Sequence, residues 1–184
     1  SEIYAWDVDP SFIKEFAPKG IILSGGPESV TEADSPRAPD LVFDMGVPVL
    51  GICYGLQTTA VQHGGKVEPS QLREFGHAEV QIQKPGRLFE GLTDRDGETV
   101  LNVWMSHGDK VTQVPDGFEI LATTASAPVA AVQHTEKPIF GLQFHPEVTH
   151  TAQGSEILRR FAIDICACAG SWTPKNIIED IVSR

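Results

Sequence analysis

The stretch Val47-Pro48-Val49-Leu50-Gly51-Ile52-Cys53-Tyr54-Gly55-Leu56-Gln57 constrains what this chain can fold into more than any other. A short run of Val, Leu and Ile behind Pro48 reads as a buried strand. The segment 54–63 then reads as a helix that stops at Gly64-Gly65. Cys53 falls on the turn between them, with Gly51 two residues before it and Gly55 two residues after it. That spacing is the arrangement of a nucleophile elbow, with cysteine in place of serine. So sharp a turn strains the backbone of its central residue, and small neighbours keep the adjoining segments from colliding. The sulfur is then expected near the amide N–H groups and the positive end of the following helix, which favours thiolate over thiol. A buried structural cysteine at the end of a core strand shows the same local pattern, so Cys53 alone does not decide between them.

Around the elbow the chain alternates strand and helix with short loops. A strand is expected over 2–8, a short helix over 11–16 and a second buried strand at Ile21-Ile22-Leu23, ending in the loop Ser24-Gly25-Gly26-Pro27. Ser35-Pro36 has the form of an N-cap followed by a first helical proline, and Gly46 closes the helix it opens. This order predicts an α/β fold with a parallel sheet covered on both faces. Past Lys66 the pattern changes to several short strands separated by Gly, Pro and Asp, which extend or flank the sheet. A further strand over 139–144 runs into His145-Pro146-Glu147. A helix over 154–168 carries Ile157, Leu158, Phe161 and Ile165 on one stripe, and a last amphipathic helix begins at Thr173-Pro174.

His145 and Glu147 stand two apart around a proline that keeps the backbone extended, so both side chains point the same way. Glu147 is placed to hold one imidazole nitrogen while the other serves Cys53, the third group's role in a nucleophile–base–orienter triad. Taken alone, His-Pro-Glu reads as a surface loop. Together with a glycine-flanked cysteine at the end of another apolar strand it reads as a site, because ligands in open α/β sheets gather at the carboxyl ends of the strands. The order Cys, His, Glu differs from that of α/β-hydrolases, and the local signatures of papain-like and caspase-like proteases are missing.

A net charge of −11 gives no basic face for phosphates, so no nucleic-acid partner is expected. No apolar run approaches the length of a membrane span, so no membrane partner is expected either. Three cysteines without a spaced framework point to a reducing, cytoplasmic compartment.

The segments Gly51 to Gln57 and Phe144-His145-Pro146-Glu147-Val148, with Ser24-Gly25-Gly26-Pro27, resemble the class I (triad) glutamine amidotransferases. Within that family, residues 22–29, 103–111 and 144–150 and the ending Trp172-Thr173-Pro174 are similar to the GMP synthase branch. The resemblance implies the flavodoxin-like amidotransferase fold: a central, mostly parallel sheet flanked by helices, with extra short antiparallel strands. It implies a glutaminase domain over 1–170, with 171–184 a helix or linker towards an absent ATP-pyrophosphatase (synthetase) domain. By the same resemblance Cys53, His145 and Glu147 would be catalytic, and Gly26 and Tyr54 would supply the oxyanion hole. Gln57, Ser106, His107, Gly108 and Asp109 would hold the glutamine substrate. Ammonia would go to the ATP-dependent amination of XMP to GMP. No cofactor is expected in this chain, since ATP and magnesium would belong to the synthetase domain. The full-length protein would be a homodimer. The family's domain opens with a further strand and helix, and the chain as it stands is expected to be a fragment without them. The alternatives are a glutaminase serving another synthase, a γ-glutamyl hydrolase or peptidase built on a cysteine elbow, and an inactive regulatory subunit of the same fold.

Overall fold

Asp9-Pro10 starts the first helix, α1 (Pro10–Phe16), where the Asp9 carboxylate accepts the Ser11 N–H at 2.8 Å and Pro10 needs no partner for its nitrogen. The computed structural model that shows this describes residues 1–170, without the side chains of residues 71–73. Further along come β1 (Ile21–Leu23), α2 (Leu41–Asp44), β2 (Val49–Ile52) and α3 (Tyr54–Gln62). The long strand β3 (Lys66–Ile82) is followed by α4 (Gly86–Phe89), β4 (Val100–Gln113), β5 (Phe118–Thr123), β6 (Ala131–His134) and β7 (Ile139–Leu142). The last described element is α5 (Gly154–Arg159), which widens into a π-type turn over Arg160–Ile165.

The strands form one seven-stranded sheet in the order β1-β2-β7-β6-β5-β3-β4. The first three are parallel, with Val49 opposite Ile21 on one side and Ile139 on the other, and all four residues of β2 and of β7 are buried. Such continuous apolar strands need cover on both faces. Leu50, Ile52, Val80, Leu101, Leu142, Phe144, Ile157 and Phe161 belong to one core cluster. Leu56 and Ala60 of α3 pack with Val111, Val129 and Val132 in another. Helix α3 crosses the sheet over Gly141, where an added Cβ would collide with Leu56. Among the described residues no helix is long and apolar enough to cross a membrane.

The α/β class holds, and the details differ in four places. Residues 2–8 form no strand. Ile3, Tyr4 and Trp6 are exposed and the Val8 N–H turns back to the Ala5 carbonyl at 3.2 Å, so the segment closes a turn on itself and does not pair with the outer edge of β1. No helix begins at Ser35-Pro36. The Ser35 hydroxyl donates to the carbonyls of Val30 and Glu32 instead of capping, and Pro39 disfavours a helical Ala38. Helix α2 therefore starts only at Leu41.

The short strands expected after Lys66 are largely two long ones. Of the six pairings, the four beyond β7 are antiparallel, and β3 with β4 makes the largest. Pro69 and Gly76, which look like breaks, are accommodated within β3: a register shift lies between Pro69 and Glu74, and Gly76 has φ +113°. Finally, the helix from Gly154 loses α geometry after Arg159. The Cys166 N–H reaches back five residues to the Phe161 carbonyl, at 2.9 Å, and both of these side chains are buried. The helix expected from Thr173 and the segment 171–184 lie outside the described residues.

Candidate active site

Cys53 sits between β2 and α3 at φ 53° and ψ −106°, a backbone conformation that a residue with a side chain rarely adopts. Its N–H donates to the Leu142 carbonyl of β7 at 2.7 Å, and its carbonyl accepts the first helical bond from Gln57 at 3.1 Å. The flanking glycines are a steric requirement. A Cβ on Gly51 would come within 2.5 Å of the Gly55 carbonyl oxygen, and one on Gly55 would overlap the Leu23 carbonyl of β1. The elbow is therefore wedged between its own helix and the neighbouring strand.

The same wedge brings His145 to Cys53. Past the end of β7 the chain passes through Gln143 and Phe144, and the His145 N–H donates to the Trp104 carbonyl at 3.0 Å. Thr151 completes the fixing, its hydroxyl donating to the His145 carbonyl at 2.6 Å while accepting the Trp104 N–H at 3.0 Å. His145 Nδ1 lies 2.6 Å from Glu147 Oε1. A carboxylate accepts, so Nδ1 carries the proton and Nε2 offers its lone pair. Nε2 is buried and has no hydrogen-bond partner among the described residues. A Cβ on Gly25 would lie 3.1 Å from His145 Cε1 and 3.6 Å from Cys53 Cβ, so the glycine loop, the thiol and the imidazole converge on one point. They border a cavity of about 500 Å³ whose walls include Gln57, Phe75, Ser106 and Asp109.

Burial works against a resting thiolate and outweighs the helix end. Burial pushes Cys53 up to about 11, the Glu147 charge adds to this, and the Tyr54 N–H and Gln143 amide only partly oppose it. Its S–H points to the Ser106 carbonyl, 3.6 Å away. A lone pair that can take the proton is thus needed, and His145 Nε2 supplies one. Alkylation of Cys53 by a neutral reagent such as iodoacetamide should accordingly rise roughly tenfold per pH unit between pH 7 and 10, as expected below the thiol's titration near 11. Peptide-resolved mass spectrometry over that series checks this, and a plateau near neutrality would reveal a preformed thiolate–imidazolium pair.

The remaining candidate residues fall on the cavity wall in unequal roles. Gly26 lies against Tyr54, its would-be Cβ 3.8 Å from the Tyr54 ring, which puts the two backbone segments side by side. Ser106, His107, Gly108 and Asp109 form part of β4 and not a loop, paired across the irregular part of β3. The His107 side chain is buried. Its ring nitrogens meet the Asp109 carbonyl at 2.9 Å and the Glu74 carboxylate at 2.8 Å, so it ties the wall together. Asp109 accepts from the Ser29 hydroxyl at 2.5 Å, which joins the glycine-rich loop to β4. Gln57 is 3 % exposed, and its amide donates to the Asp109 carbonyl at 2.8 Å.

Sequence reading missed Ser29, Glu74, Thr151 and above all Gln143. The available signal for Gln143 was a polar residue at the buried end of an apolar strand. A clasp also went unseen: Tyr54 Oη donates to the Pro36 carbonyl at 2.7 Å, and Arg37 donates to the Val30 carbonyl at 2.8 Å, holding the 24–38 segment against the elbow.

Residues 1–165 match the family model for glutamine amidotransferase class-I. The chain belongs to this family. As a class-I glutamine amidotransferase it is 58% identical over 186 residues to the GMP synthase [glutamine-hydrolyzing] of Edwardsiella ictaluri, and 60% identical over 183 residues to that of Xanthomonas axonopodis pv. citri. In both comparisons all of this chain is covered, but it spans only about 35% of the relative's length. Among solved structures, a protein from Thermoplasma acidophilum described as part of a GMP synthase superposes with TM-score 0.73 at 31% identity. That alignment covers 100% of this chain and 84% of the other. A glutamine amidotransferase from Thermotoga maritima, TM-score 0.60 at 22% identity over 88% of this chain and 69% of its own, shares the fold.

Proposed function

We propose that this chain is the glutamine-hydrolysing domain of a GMP synthase, passing ammonia to an ATP-pyrophosphatase domain that aminates XMP to GMP. The observation that carries the reading is the convergence at the elbow: a strained Cys53, a buried and unpartnered His145 Nε2, and Glu147 on Nδ1. The similarity to two curated GMP synthases supports the choice of partner reaction.

In this reading glutamine lies along the cavity with its side-chain amide at the sulfur, and its α-amino and carboxylate groups towards the wall built from Ser106 to Asp109. His145 Nε2 takes the Cys53 proton as the sulfur attacks the amide carbon. The oxygen gains charge beside the backbone N–H groups of Gly26 and Tyr54, a type of donor pair in which removing one member lowers the rate by about 10²–10³. The C–N bond breaks, the His145 proton leaves with ammonia, and a γ-glutamyl thioester remains. His145 then deprotonates water, which attacks the thioester. The C–S bond breaks, and glutamate departs as the thiol recovers its proton. Glu147 keeps the ring in the tautomer that both steps need. ATP and magnesium serve the synthetase domain in this scheme, the full-length protein is a homodimer, and the compartment is the cytoplasm.

Labelling with the glutamine analogue 6-diazo-5-oxo-norleucine tests the glutaminase. The expected result is selective modification of Cys53, suppressed by free glutamine and lost in Cys53→Ala. Reaction no faster at Cys53 than at the partly exposed Cys168, both in this chain and in a full-length protein carrying the synthetase domain, would sink the reading.

A further inference from the structure

Gln143 is completely buried, yet it carries an amide where the end of an apolar strand would accommodate a hydrocarbon side chain at lower cost. Its backbone N–H is already committed to the Ala130 carbonyl at 2.8 Å. Its side chain makes two contacts. Oε1 accepts from Gln57 Nε2 at 3.4 Å, which fixes the orientation of the amide, and Nε2 donates to the Cys53 sulfur at 3.7 Å. Gln57, one helical turn beyond Cys53, gives its other amide hydrogen to the Asp109 carbonyl at 2.8 Å. A buried line of amides therefore runs from the Asp109 wall of the cavity through Gln57 and Gln143 to the sulfur.

We propose that Gln143 is the group that holds the Cys53 sulfur in its anionic form, as attacking nucleophile and as leaving group, and that Gln57 couples this hold to the Asp109 wall. The proposal rests on the glutaminase reading for its use in turnover, but the hold on the sulfur does not depend on that reading. The chemistry follows from what each neighbour can give. The Ser106 carbonyl can only accept, so it favours the thiol. The Gln143 N–H can only donate to sulfur, weakly to a thiol and strongly to a thiolate, so it favours the deprotonated form. When the Cys53 proton passes to His145 Nε2, the sulfur loses its donation to Ser106 and keeps the Gln143 contact, which strengthens on the anion. When the thioester C–S bond breaks, the electron pair returns to sulfur beside the same N–H, until His145 gives back the proton. Among the described residues the sulfur is the only partner of Gln143 Nε2, which sets it apart from a packing amide that merely closes its own hydrogen bonds.

Gln143→Met keeps length and approximate volume and removes the donor. Iodoacetamide alkylation of Cys53, followed at peptide resolution from pH 7 to 10, should give a line parallel to that of the parent chain and at least about threefold lower at every pH. With 6-diazo-5-oxo-norleucine the maximal labelling rate should fall about tenfold, while the half-saturating concentration stays within about twofold. Gln143→Asn leaves an amide in the core one methylene short of the sulfur, and the same displacement is expected. If Gln143→Met fails to fold, the Asn variant decides alone. Superimposable alkylation lines for a folded variant and the parent would overturn the proposal and leave Gln143 a packing residue. If the parent chain ignores the glutamine analogue but the alkylation lines are displaced, the hold on the sulfur stands and the glutaminase reading fails by itself.

Discussion

Cys53→Ala and Cys53→Gly will both reduce glutamine-dependent ammonia release to background, a loss of at least about 10⁴-fold, because in the proposed mechanism Cys53 carries the acyl intermediate. Their stabilities will differ. Cys53 holds φ 53° and ψ −106° against the preference of any residue with a Cβ, and such conformations cost roughly 1–3 kcal/mol. Alanine keeps that strain and glycine releases it. The glycine variant should therefore melt above the alanine variant, although glycine ordinarily loses to alanine by roughly 0.5–1 kcal/mol through the unfolded chain. Thermal unfolding of the two variants side by side measures the strain directly. A glycine variant that melts below the alanine variant would mean that the elbow is relaxed and that its geometry stores nothing for the reaction. The comparison also separates fold from chemistry, since neither variant can turn over.

Gly55→Ala will be the most damaging of the small substitutions near the site. The added methyl would overlap the carbonyl carbon and oxygen of Leu23, backbone atoms in the edge strand of the parallel sheet. Backbone cannot swing aside as a side-chain tip can, so α3 must lift away from β1 and β2, and the loss is expected to exceed about 4 kcal/mol. Gly26→Ala is the control. Its Cβ would meet only the Tyr54 ring at 3.8 Å, an ordinary contact, so stability should stay within about 1 kcal/mol of the parent. Denaturant unfolding of both variants checks the contrast. Equal stabilities would show that the elbow tolerates a displaced helix.

These two expectations point to one structural idea. The elbow is a junction of three elements: β2 feeds it, β7 accepts its N–H at Leu142, and β1 supplies the carbonyl that only a glycine in α3 can approach. His145 arrives from β7 and is fixed by Trp104 of β4 and by Thr151. The two groups thus come from distant parts of the chain, and each has a backbone anchor, Cys53 N–H on the Leu142 carbonyl and His145 N–H on the Trp104 carbonyl.

Some of this was legible in the residues. Gly51, Cys53 and Gly55 specify the elbow because the requirement is local: a short strand, a positive φ and no room for a Cβ on either side. His145 and Glu147 pair as their two-residue spacing suggested, but through a turn at Pro146-Glu147 and not through the extended backbone expected there. The short, wholly apolar strands β2 and β7 were readable as buried, and with them the α/β class.

What the sequence could not decide depended on partners far along the chain. Residues 2–8 have strand-like composition, but the Val8 N–H turns back to the Ala5 carbonyl, and the outer edge of β1 stays unpaired among the described residues. Pro69 and Gly76 look like breaks, yet the pairing of β3 with β4 carries the sheet past them, and Ser106 to Asp109 fall on a strand lining the cavity. The weight of burial at Cys53 was also hidden. A helix end favours the thiolate by about 1 kcal/mol or less when exposed, whereas burial acts on the full charge, and only the packed structure shows how deep the sulfur lies. The local pattern marked Cys53 and the His145–Glu147 pair; tertiary packing decided how deeply the sulfur is buried, and hence how tightly it holds its proton.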